Sequence, residues 1–355
     1  MSFIFFSNFY LLLSSRFLTG FFQVFQTIYF PVWSDRFGKD DKQKTIFLTC
    51  YFLTAPMGVL FGYIISAWFI STVGWRYSFL LQSVCFMPIV IAILFTPARY
   101  LTLNKTEQQP EALTSPVGSE NEFLFLSPKS LTSQNQQAHQ EQLSPVPRST
   151  VGLVKQLLKK KLFVYLALAL SGLFFIITGI QYWISDYLQI VYGVPAEEVY
   201  YYFAITCLTA PFMGIVVNGF IITSIGGYNS PKSFTLCVAV ACLGMLIALP
   251  IPFSTSKYLT YSLIWLLLFS GAFLVPTLTG IMLNSVEESK KTTANSLATL
   301  GYNLFGYLPA PVIYGFVSSR GSDVILSSRY ALGCIMYWSI LVLIMIGTGY
   351  WHWIS

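Results

Sequence analysis

Stretches without a single Asp, Glu, Lys or Arg occur at 17–34, 46–75, 77–98, 162–185, 199–231, 233–256, 258–286, 292–319 and 330–355. Each is about 18 residues or longer, and a helix needs roughly 20 mostly apolar residues to cross the hydrocarbon core of a bilayer. They read as nine membrane-spanning helices. Residues 2–13 form a tenth apolar run, too short to cross alone, and read as the remainder of one more helix. The pattern predicts an all-α membrane protein, a polytopic helical bundle with nine complete spans and one partial span at the N-terminus.

Residues 98–161 break that pattern. They are rich in Gln, Ser and Pro (NKTEQQPEALTSPVGSENEF, SQNQQAHQEQLSPVPRS) and cannot bury enough apolar surface to order themselves. The chain therefore divides into 1–97, the partial span and three full ones; 98–161, a disordered linker; and 162–355, a six-helix bundle. Within the linker Ser115, Ser127 and Ser144 each precede a proline, which leaves phosphorylation open beside a plain solvated tether. Its end, VGLVKQLLKKKLF, is basic and amphipathic and is expected to lie on the anionic cytoplasmic leaflet.

Composition supports lipid as the solvent. Of 355 residues, 55% are hydrophobic and 10% charged, against roughly 25% charged in a soluble domain, and mean hydropathy is +0.65. Lys and Arg resist translocation and so set orientation. With the turn after 17–34 placed in the cytoplasm, fifteen of them fall inside, including Arg36, Lys44, Lys161, Lys232 and Lys291, against four outside: Arg76, Lys257, Arg320 and Arg329. The linker is then cytoplasmic. Which membrane, plasma or endolysosomal, stays open.

The six cysteines lie in apolar runs, where they pack as small hydrophobes, so neither a metal site nor a disulfide framework is expected. No metalloprotease, nucleophile-elbow or phosphate-loop motif occurs, and the two histidines, His139 and His352, stand outside the apolar core. The reading is a protein that is not an enzyme and uses no cofactor and no nucleic acid. Its evident partner is the bilayer; the resemblance set out below implies a small-molecule or lysolipid-like substrate and a possible coupling ion as well.

Helix breakers concentrate in three spans. Pro56, Gly58 and Gly62 lie in the second; Pro211 and Gly214 in LTAPFMGIVVNGF; Gly306, Pro309, Pro311 and Gly315 in GYLPAPVIYGFV. Small residues at such spacing let backbones touch, and a proline frees a carbonyl that a neighbour must satisfy. They are candidates for packing or gating. Charge inside the membrane is costly and marks function. Arg16, followed by Gln23 and Gln26, is the clear candidate; it either faces an anionic group in a central cavity or snorkels to the interface. Asn218, Asn295 and Asn303 either line a water path or bond across helices.

Several features together resemble the major facilitator superfamily of secondary transporters. These are R-x-x-x-G opening a span (Arg16, Gly20), the charged turn SDRFGKDDKQK, the G-W-R-x-x-F entry with Trp75 and Arg76, and IITSIGGYNSPKS as a degenerate loop of the second half. SRFLTGFFQVFQTIYFPVWSDRF, TGIQYWISDYL and YFAITCLTAPFMG are similar to the fourth, seventh and eighth helices of the Spinster branch, the lysolipid and sphingoid-phosphate carriers. The resemblance implies that 1–97 holds part of helix 3 and helices 4–6, and that 162–355 holds helices 7–12. It implies transport of a small organic solute, anionic or amphipathic and lipid-like, by alternating access as a secondary carrier or facilitator. The substrate-binding candidates are Arg16, Gln23, Tyr29, Trp183 and Asn303; Gln23 stands where the branch carries a glutamate. The alternative is a truncated carrier that does not transport and acts as a receptor or pseudotransporter.

Overall fold

The computed structural model describes residues 8–72, 74–97 and 150–355. The expected linker up to residue 149, its three Ser-Pro sites and the Trp75 side chain lie outside the described residues. All regular structure among those described is helical. The first group is α1 (Phe9–Phe37), α2 (Asp41–Thr72) and α3 (Trp75–Phe95). A short α4 (Thr150–Lys159) leads into α5 (Lys161–Tyr192), α6 (Ala196–Ser224), α7 (Pro231–Ala248) and α8 (Lys257–Asn284). Next, α9 (Lys291–Gly301) continues through a π-helical segment, Tyr302–Tyr307, into α10 (Pro309–Ser318). Two final helices, α11 (Val324–Met336) and α12 (Trp338–Ile354), form one interrupted stretch.

From Phe9 onward, the short 2–13 run is not a separate element but the first turns of α1. Asn8 caps that helix by accepting from the Tyr10 N–H at 3.0 Å. Ser14, which might have ended it, turns its hydroxyl back to the Tyr10 carbonyl at 2.8 Å and lets the helix run on through Arg16. Among the described residues, six stretches are long and apolar enough to cross a membrane: Arg76–Phe95, Lys161–Tyr192, Ala196–Ser224, Pro231–Phe253, Lys257–Asn284 and Val324–Ile354. The nine crossings expected above include three more, α1, α2 and the α9–α10 stretch, which are helical but outside that set. Those three build the site.

In the second group α8 is central, its middle almost wholly enclosed, with α5 next to it. Close backbone approach is built on glycine. A Cβ at Gly214 would stand 2.4 Å from the Phe269 carbonyl oxygen of α8, and one at Gly306 would stand 2.8 Å from the Ser171 carbonyl of α5. Gly315 faces the Trp183 ring at 3.4 Å. Gly20, Gly58 and Gly62 behave differently: nothing lies within 4 Å of a Cβ placed on them, so the packing face expected on α2 carries no contact among the described residues. The two groups of helices meet where α2 lies along α6 and where α1 meets α9. There a Cβ on Gly219 would strike the Thr49 methyl at 2.6 Å.

Candidate functional site

The α1–α9 contact is polar and enclosed. Asp35, in the last turn of α1, is 5% exposed and Lys291, which opens α9, is 6% exposed. The Lys291 ammonium and the Tyr228 hydroxyl both donate to the Asp35 carboxylate. A second cation, Lys44 of α2, stands 3.8 Å from it. An ion pair this dry survives only with its remaining polar atoms satisfied, and here the tyrosine and the second lysine do that.

Tyr228 reaches Asp35 from the α6–α7 turn, IGGYNS. Gly226 and Gly227 hold φ of +109° and +89°, a region open to glycine, and a Cβ on Gly227 would lie 2.7 Å from the Asp41 carbonyl oxygen. That turn is pinned to α2 twice. The Tyr228 N–H donates to the Thr45 hydroxyl at 3.2 Å, and the Asn229 amide donates to Asp41 at 2.9 Å. The Tyr228 ring lies flat against α8, where a side chain at Gly280 would collide with it at 2.7 Å. Four elements from both helical groups therefore converge on one carboxylate.

One turn above, Asn295 of α9 donates to the carbonyls of Thr27 (3.2 Å) and Ile28 (2.7 Å) in α1. The cause is in the sequence. Pro31 has no N–H to give the carbonyl four residues earlier, which is Thr27, and Asn295, 1% exposed, supplies the missing donor. Asn218 likewise bonds across helices, to the Thr277 hydroxyl of α8 at 2.7 Å. Asn303 does not; it turns back to the Thr299 carbonyl of its own helix at 2.8 Å and is exposed.

Beyond Asn295 the facing surfaces are aromatic. Phe30 of α1 stacks on Tyr51 of α2 at 4.6 Å, and Phe174 of α5 lies 5.1 Å from Tyr302 and 5.0 Å from Tyr307. Tyr302 and Tyr307 bound the π-helical segment. Pro309 and Pro311 follow it and withdraw two N–H groups from the helix ladder, and the widened turn, with Leu308 N–H donating to the Asn303 carbonyl at 3.1 Å, absorbs the mismatch. Pro56 and Pro211 instead sit inside continuous α2 and α6, with no such widened turn assigned there.

Of the candidates, Arg16, Gly20 and Gln23 share one side of α1 with Thr27, at steps of four, three and four residues. Arg16 and Gln23 are exposed on it, while Pro31, Val32, Ser34 and Asp35 further down are buried. Tyr29 lies on the opposite side of that helix and is 49% exposed. Trp183 is a packing residue: its indole N–H donates to the Pro311 carbonyl at 3.0 Å and its ring stacks on Tyr314 at 4.7 Å. Arg76 is exposed in the first turn of α3, after Gly74.

The family model of the Major Facilitator Superfamily matches residues 1–311. The chain belongs to the Major Facilitator Superfamily. As a superfamily member with six helices, among the described residues, long and apolar enough to cross a bilayer, it is an integral, multi-pass membrane protein. A curated relative, "Probable sphingolipid transporter spinster homolog 3" of Arabidopsis thaliana, is 24% identical over 308 residues, 83% of this chain and 58% of the relative. The chain thus spans under two thirds of that relative's length, and the relative carries the Spinster name expected from the sequence. Among solved structures, a bacterial homolog of the human lysosomal transporter Spinster, inward-facing and unoccupied, matches with TM-score 0.45 at 14% identity. That match covers 87% of this chain and 68% of the other.

Proposed function

We propose that this superfamily chain is the working part of a secondary carrier or facilitator that moves a small organic solute, anionic or amphipathic and lipid-like, by alternating access. The observation that carries the reading is the Asp35 latch. A buried ion pair that ties two helical groups at one end, below a stretch of α1 whose Arg16 and Gln23 side chains are exposed, is what a closed gate requires. The excess of Lys and Arg puts that gate on the cytoplasmic side, with the linker.

Arg16 is the proposed partner of the solute's anionic group, with Gln23 and Asn303 as neutral polar contacts. The rings of Tyr51, Phe174 and Tyr307 offer an apolar wall. The Arabidopsis relative's printed name, a probable sphingolipid transporter, favours a lipid-like solute. Gln23 cannot take up a proton, so any proton coupling uses another group than the one at this position in the Spinster branch. The test is uptake of labelled sphingoid phosphate or lysophospholipid into vesicles holding the native protein. Saturable movement of intact solute that falls at least tenfold in Arg16→Ala, at equal expression, is expected. Unchanged uptake in that variant removes Arg16 from the site, and no uptake by the native protein favours a non-transporting receptor.

A further inference from the structure

The short α4 is tied to the bundle on one side only. Leu157 is fully buried against α5 and α9, while Val151 and Leu158 are 63% and 55% exposed. Lys155, Lys159 and Lys161 are exposed as well. TVGLVKQLLKKK contains no acidic residue, so the outward face alternates apolar side chains with cations. A single residue, Lys160, separates α4 from the membrane-crossing α5, which holds the face at headgroup depth. Lys160 itself lies 3.7 Å from Glu287, whose other oxygen holds Lys290 at 2.8 Å, immediately before the latch lysine.

We infer that α4 is a seat for anionic phospholipid of the adjoining leaflet. Val151 and Leu158 enter the acyl boundary, Lys155, Lys159 and Lys161 take the headgroup phosphate and carboxylate, and the headgroup competes with Glu287 for Lys160. The continuity with α5 favours a lipid over a soluble acidic partner: a helix anchored by Leu157 and leading straight into a span cannot lift its cations away from the membrane. The inference stands apart from the transport reading, since it needs no solute movement.

The test is native mass spectrometry of the detergent-solubilised full chain titrated with phosphatidylserine and, separately, phosphatidylcholine. Phosphatidylserine is expected to bind the more tightly. K155Q/K159Q/K161Q is expected to lose on the order of 100-fold in that affinity, about fivefold for each charge, and K155R/K159R/K161R is expected to keep it. Glu287→Gln, by releasing Lys160, is expected to tighten it by up to about fivefold. Equal binding of the two lipids, or full phosphatidylserine binding by the triple Gln variant with unchanged thermal unfolding, would overturn the proposal. So would release of the bound lipid by inorganic phosphate or a poly-glutamate peptide at matched charge, which would make the face a general anion or acidic-protein site.

Discussion

Replacing Asp35 by Asn should open the latch, and the structure allows the size of the effect to be worked out. Asp35 and Lys291 are both about 95% enclosed. Removing one member of such a pair costs about 3–5 kcal/mol, most of it the charge left behind. In Asp35→Asn the stranded charge is Lys291; Lys44, one-fifth exposed, can turn to water and adds little. The cost falls on the closed form alone, because an open latch solvates both groups. Taking a two-state equilibrium from 99:1 to 1:99 needs about 5.5 kcal/mol, so about 3 kcal/mol brings a 99:1 closed population to near parity. Spin labels at Lys39 and Lys232, exposed residues on the two sides of the latch, with native cysteines replaced, read the distance by double electron–electron resonance. Asp35→Asn should add a longer distance of comparable population, and Asp35→Asn with Lys291→Met should recover much of the short one, since no charge is then stranded. An unchanged distribution in the single variant, or a double variant more open than the single, refutes the argument from a buried unpaired charge.

Asn295→Ala should cost about 1–3 kcal/mol of stability by leaving the Thr27 carbonyl without a donor. In a Pro31→Ala background, where residue 31 offers its own N–H, the cost should shrink markedly in a double-mutant cycle read by thermal unfolding; equal costs in both backgrounds would break the link. Gly227→Ala should destabilise by about 1–2 kcal/mol from its positive φ alone, and by more from overlap with the Asp41 carbonyl. The same spin-label pair should report partial opening. Trp183→Phe keeps the stack on Tyr314 but loses the bond to Pro311, about 0.5–1.5 kcal/mol, so the midpoint should fall by about 1–6 °C. A midpoint unchanged within 1 °C would take that bond out of the packing account.

Charge-free length was enough to find the helices, six of which among the described residues are long and apolar enough to cross, because a bilayer imposes that length locally, one helix at a time. It mislaid the start of α1, since Arg16 closes the charge-free run while Ser14, which looks like an interruption in composition, satisfies its hydroxyl within the helix. The candidate site was legible only in part. Arg16 and Gln23 stand out because a polar residue in an apolar run is visible on inspection. Asp35, Lys44 and Lys291 do not, since each has other charges beside it in the sequence, and Tyr228 carries no charge to draw notice; Tyr228 and Lys291 meet Asp35 only across 193 and 256 positions of chain. The signal that could have found them was the pair of turns SDRFGKDDKQK and IGGYNS: two glycines in one, and in the other an acid at the end of a proline-containing helix, call for a close approach. Trp183 hid a contact for the opposite reason. A ring at the mouth of a span looks available, and only the distant Pro311 carbonyl shows that its N–H is taken.

The spacing of α1 joins the two halves of the proposed site. Arg16 and Asp35 are nineteen positions apart on one helix, about 28 Å at 1.5 Å per residue, close to the roughly 30 Å of the hydrocarbon core. A headgroup held at Arg16 therefore lies near the face opposite the latch, not at the bilayer midplane, and the length between them suits an extended acyl or sphingoid chain running past Gln23 and Thr27 toward Phe30. A compact polar solute would fill only one end of that path. On the proposed reading, the tail is what reports occupancy to the latch, because it alone reaches the turn where Pro31 leaves the Thr27 carbonyl without its helix donor and Asn295 supplies one. Shortening the chain of the solute should then weaken its effect on the Lys39–Lys232 distance while leaving the Arg16 contribution to binding intact; equal effects from short and long chains would locate the coupling in the headgroup instead.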